Sequence, residues 1–104
     1  LVKIVFDTYH LGQDRNVLDQ IFELVPHIAL VQLGDAKLPP HGEQNRCLLG
    51  EGVVPLEGII ARLTEAGYDG YYDVELLGEE IEAVDYMSLL DHAKQAFNRL
   101  VLRT

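Results

Sequence analysis

Ile28-Ala29-Leu30-Val31-Gln32-Leu33-Gly34-Asp35 is the stretch that decides the fold of this chain. Its first four residues are apolar without polar alternation, the mark of a strand buried on both faces. Gln32 interrupts the run near its carboxyl end, and Gly34-Asp35 closes it. Immediately upstream, Val17, Leu18, Ile21, Phe22, Leu24 and Val25 recur at helical spacing, and Pro26 ends that helix. Further back, Val2-Lys3-Ile4-Val5-Phe6 is β-rich and terminates at Asp7, and Leu11 to Asn16 reads as a loop.

Downstream, Ala36 to Gly52 holds two prolines and three glycines and has neither helical nor alternating period. It reads as one long loop, and loops of that length inside a compact domain usually serve function. Pro55 suits the first turn of a helix whose stripe is Leu56, Ile59, Ile60, Leu63 and Ala66, with Gly67 as its C-terminal cap. Tyr71 to Leu76 forms a third strand. A last helix from about Asp85 carries Met87, Leu90, Ala93, Ala96, Phe97, Leu100 and Val101 on one side. Strand and helix alternate three times, so the chain is an α/β protein with parallel strands joined by right-handed crossovers.

Ligands in such folds lie beyond the carboxyl ends of the strands, where this sequence places Asp7, Gln32 to Asp35, and Glu75. Asp7 and His10 make an Asp-x-x-His step. The carboxylate can ligate a hard cation with the imidazole facing the same pocket, or Asp7 can cap a turn with His10 on the surface. Gln32, in an apolar strand, must satisfy both ends of its amide, by internal hydrogen bonds or by giving its oxygen to a metal. Glu75 stands among aromatic and apolar neighbours, where an ionised carboxylate needs coordination or a partner such as Arg46. His27 lies at the far end of the strands, His92 on the last helix reads as a surface residue, and Tyr68, Tyr71 and Tyr72 read as packing. Leu49-Gly50-Glu51-Gly52 is no phosphate cradle, because no strand leads into it in the required register.

The formal charge is −9 with no run of Lys or Arg, which disfavours a nucleic-acid partner. Cys47 is the single cysteine, so an internal disulfide is excluded and a reducing, cytoplasmic compartment is expected. No apolar run reaches the roughly 20 residues that cross a bilayer. The opening residues lie inside a strand without an initiator Met, which suggests a piece of a longer chain. Its expected partners are therefore the remaining part of the fold or a second copy.

Four segments resemble the xylose isomerase-like TIM barrels, a group that includes sugar isomerases and epimerases, related lyases and AP-endonucleases. They are Phe6-Asp7-Thr8-Tyr9-His10, Val31-Gln32-Leu33-Gly34-Asp35-Ala36, Arg46-Cys47-Leu48-Leu49-Gly50-Glu51-Gly52 and Gly67 to Glu75, in the family's order across nearly the whole chain. The resemblance implies one domain portion, residues 1–104, forming the C-terminal three βα units, strands six to eight, of a (β/α)8 barrel. It implies Asp7, Gln32 and Glu75 as metal ligands on those strands, Glu75 also as the catalytic acid or base, and His10 and Arg46 as substrate contacts. A further ligand, a Glu on an earlier strand, lies outside this sequence.

Gln32 stands where many members have His. An amide oxygen favours Mg2+ or Mn2+ over Zn2+ or Co2+. Asn45-Arg46-Cys47 replaces the Asp-Arg-His of the AP-endonucleases, which removes two zinc ligands and argues against that activity. The function implied is divalent-metal-dependent isomerisation or epimerisation of a sugar or small hydroxy-carbonyl compound through an enediolate. The alternatives are a dehydrating lyase that shares this intermediate, or a non-catalytic fragment.

Overall fold

The computed structural model describes residues 3–12, 14, 16–41, 44–74 and 85–102, without the side chains of 38–41, 44–46, 86 and 102. The first strand, β1 (Ile4–Asp7), runs into a one-turn helix, α1 (Thr8–Leu11), and then α2 (Val17–Leu24). A 3-10 turn over Val25–His27 contains Pro26 and leads to β2 (Ile28–Leu33). A hairpin follows, β3 (Asp35–His41) and β4 (Gln44–Cys47), then α3 (Leu56–Glu65), β5 (Tyr72–Val74) and α4 (Tyr86–Leu102).

β1, β2 and β5 form one parallel sheet in the order β1-β2-β5. This is the expected strand–helix repetition, an α/β fold with the parallel sheet of a barrel segment. Phe6 is aligned with Val31, and both are fully buried. With Leu33 they face Val17 and Ile21 of α2, Leu56, Ile59, Ile60 and Leu63 of α3, and Ala96 of α4. One sheet face is thus sealed by helices. Burying a side chain such as Ile21 or Leu63 there contributes about 1.5–3 kcal/mol each.

The apolar stripes position these helices with some local departures. All four leading apolar residues expected in α3 are buried, and the helix ends at Gly67 with φ +90°. Gly67 N–H donates to Thr64 O at 3.0 Å and Tyr68 N–H to Leu63 O at 2.9 Å, the paired bonds of a Schellman motif. In α4, Leu89, Ala93 and Ala96 are buried, while Met87 and Val101 are exposed, so the buried stripe is rotated from the expected one. Tyr68 and Tyr72 meet edge-to-face with ring centroids 5.4 Å apart, and Phe97 lies tilted against Tyr72 at 5.3 Å. Burial pushes both phenols above their ordinary range, Tyr72 also through its neighbour Tyr68. Tyr71, expected to pack, is instead 85% exposed.

The hairpin corrects the expectation of a loop from Ala36 to Gly52. Its register is Asp35 with Cys47, Ala36 with Arg46 and His41 with Gln44, with an irregularity between the inner and outer pairs. Pro39 and Pro40 lack the N–H groups a ladder needs, so pairing concentrates at the two ends and no alternation marks the strand.

Candidate functional site

β1, β2 and β5 present aligned residues at their carboxyl ends. Asp7 is the register partner of Gln32, and Gln32 is the partner of Asp73. Aligned residues of neighbouring strands project to one face, and Phe6 and Val31 define the helix-covered face. Asp7, Gln32 and Asp73 therefore share the opposite, open face. One step back on that face, Val5 lies beside Leu30, so a polar row borders an apolar one.

Asp7 serves local structure as well as the row. Its Oδ1 accepts the N–H of Tyr9 at 2.9 Å and of His10 at 3.4 Å, capping α1. Oδ2 lies 3.9 Å from His10 Nε2. The His10 side chain is 66% exposed, so the Asp-x-x-His step is a cap and an outward-facing imidazole at once. Gln32 is half-buried, and among the described residues its side-chain amide makes no hydrogen bond. An unspent amide oxygen beside a carboxylate oxygen is a donor pair that suits a hard divalent ion. Two donors do not complete a site, and among the described residues no group of three His, Cys, Asp or Glu side chains is placed to hold a metal. Glu75 lies outside the described residues, immediately after Val74 at the end of β5. Arg46 enters through its backbone alone, opposite Ala36 at the base of the hairpin.

Thr8, which sequence reasoning missed, and Asp35, which it read only as a strand-end residue, build the floor of this end of the sheet. Thr8 is fully buried, and its Oγ1 donates to Gly34 O and accepts from Gly34 N, both at 2.8 Å. That exchange fastens the start of α1 to the end of β2. Asp35 is 1% exposed. Its Oδ1 accepts the N–H of Ala36 at 2.8 Å and Val54 at 3.1 Å, and its Oδ2 those of Gly50 at 2.9 Å and Gly52 at 3.0 Å. All four acceptor positions of a carboxylate are thus filled, which offsets the cost of burying its charge. Leu49-Gly50-Glu51-Gly52 holds no phosphate in this arrangement because its amides hold Asp35. The available signal was the pair of glycines: Gly50 sits at φ +85°, and a Cβ on Gly52 would collide with Ala36 O and the Asp35 carboxylate. Between them, Glu51 reaches His92 Nε2 of α4 at 3.6 Å, so His92 joins helix to loop rather than standing alone on the surface.

Residues 1–99 match the family model described as xylose isomerase-like TIM barrel. The chain belongs to that family. Solved structures agree in fold. Protein SMc04130 from Sinorhizobium meliloti 1021 superposes with a TM-score of 0.83 at 22% identity, covering 95% of this chain and 38% of that one. The IOLI protein with a binding zinc atom gives 0.78 at 21% identity, covering 96% and 37%. D-psicose 3-epimerase from Clostridium cellulolyticum H10, solved with D-tagatose, gives 0.67 at 19% identity, covering 97% and 37%. The chain therefore spans less than two-fifths of the length of these barrels. No curated protein matches it. No helix among the described residues is long and apolar enough to cross a membrane.

Proposed function

We propose that this chain supplies strands six to eight of a TIM-barrel enzyme that isomerises or epimerises a sugar or small hydroxy-carbonyl compound with a divalent metal. The observation that carries the reading is the alignment of Asp7 with Gln32 on the open face, at the strand ends where barrel enzymes work. Family membership and the likeness to an epimerase fold support it. Asp7 Oδ2, the Gln32 amide oxygen and Glu75 would hold the ion, with a further carboxylate from an earlier strand. Oxygen donors place Mg2+ or Mn2+ ahead of Zn2+ or Co2+, although the IOLI neighbour carries zinc. A bound ion supplies Lewis-acid polarisation of a carbonyl.

The residues of the chain divide the remaining work. Glu75 takes the proton from the carbon beside the substrate carbonyl and returns it to the neighbouring carbon in isomerisation; in epimerisation the carboxylate of the earlier strand, opposite Glu75, delivers a proton to the other face. His10 and Arg46 contact substrate hydroxyl or carboxylate groups. The apolar row of Val5 and Leu30 would border the site on the side away from the strand ends. The partner is the rest of the barrel. β5 is an edge strand of this sheet, and beside it Tyr72, Asp73, Val74, Leu90, Ala93, Lys94 and Phe97 line a mainly apolar groove of about 330 Å³ that a neighbouring strand–helix unit would cover.

Proton NMR in deuterated water tests the chemistry, using the full-length protein with Mn2+ and a panel of ketoses. Deuterium entering the carbon next to the carbonyl, lost in E75Q, is the expected result. Release of a dehydrated product would transfer the assignment to a lyase. No exchange with any substrate would contradict both.

A further inference from the structure

We infer that Asp35 is the positioning residue of this site: its buried carboxylate fixes the place from which Arg46 meets substrate. The substrate contact itself rests on the function proposed above; the connection between Asp35 and Arg46 rests on backbone geometry.

Three links make that connection. Asp35 begins β3 opposite Cys47, and Ala36 lies opposite Arg46, so Arg46 is anchored at the base of the hairpin one step from the carboxylate. Asp35 Oδ1 accepts the N–H of Ala36, the residue paired with Arg46. Ala36 O in turn accepts Val53 N–H at 2.7 Å, while the N–H groups of Gly50, Gly52 and Val54 converge on Asp35. The loop behind the hairpin and the strand residue opposite Arg46 are thus organised by one carboxylate. Nothing of similar size replaces it. An asparagine offers one oxygen and an NH2 group, so two of the four backbone donors would face another donor. The local structure would open there first, because the cradle is built from hydrogen bonds to a single acceptor group.

Asp35→Asn and Gly52→Ala open the cradle by independent routes, the first by removing acceptors and the second by crowding Asp35 and Ala36. The measurement is residue-resolved amide hydrogen exchange on the full-length protein, with Mn2+ affinity followed in parallel. Expected is exchange faster by about tenfold at Arg46, Cys47, position 50, position 52 and Val54 in both variants. Phe6 and Val31 should keep their wild-type rates, and Mn2+ affinity should stay within about twofold. Faster exchange confined to residues 50–54 would overturn the inference, as would an equal rise at Phe6 and Val31, which marks a general loss of stability. Wild-type protein that binds no Mn2+ contradicts the metal reading alone; the exchange pattern decides Asp35 in either case.

Discussion

Asp7 and Gln32 stand side by side on adjacent parallel strands, on the sheet face that the helices leave open. Asp7 spends one carboxylate oxygen on capping α1, which fixes the side chain, while the other lies 3.9 Å from His10 Nε2. In the proposed site the same cap would support a metal-binding carboxylate. Supporting interactions of this kind set how well a site is preorganised.

Thr8→Val should destabilise the fold by about 2–4 kcal/mol, because the buried N–H and C=O of Gly34 lose their shared partner while side-chain volume is kept. Denaturant unfolding of the full-length protein checks this. A loss below about 0.5 kcal/mol would mean that Gly34 finds other partners.

Gly58 and Gly67 should respond in opposite directions to alanine. Gly58 lies inside α3, and a Cβ there would meet Leu18 at 3.6 Å, an ordinary contact, so alanine should stabilise by about 0.5–1 kcal/mol. Gly67 has open space around it but φ +90°, so alanine should cost about 1–2 kcal/mol in backbone strain. Thermal unfolding midpoints of the two variants should move to opposite sides of wild type.

Acid should loosen the start of α4. The Ser88 hydroxyl donates to Asp85 at 2.6 Å and the Ser88 backbone N–H at 3.0 Å, and these bonds hold the Asp85 carboxyl below its ordinary 3.8. A depressed folded-state value means that the contribution is complete above the ordinary carboxylate range and is lost as pH falls below 3.8 through the folded value. NMR titration should show Asp85 moving back up in Ser88→Ala, with faster exchange at Leu89, whose N–H bonds Asp85 O at 3.1 Å.

The parallel sheet was legible in the sequence because buried strands and amphipathic helices write different periods. Ile28 to Val31 and the stripe of α3 needed only local pattern to be read. The hairpin was not legible, since Pro39 and Pro40 erase alternation and its pairing joins residues at its two ends. Asp35 was visible as a strand-end acid, but its partners are backbone amides at positions 50, 52 and 54, groups every residue type but proline carries. Asp73 escaped notice because its place beside Gln32 depends on register, which a single strand does not specify. The candidate metal residues came from strand-end position and family resemblance together; the structure adds the adjacency of Asp7 and Gln32.

Titration of Mn2+ into the full-length protein and its Asp7→Ala and Gln32→Ala variants, followed by calorimetry, tests whether these two residues hold a metal. One site per chain is expected, with affinity reduced by at least about tenfold in either variant. Wild-type affinity retained in both variants would contradict that assignment.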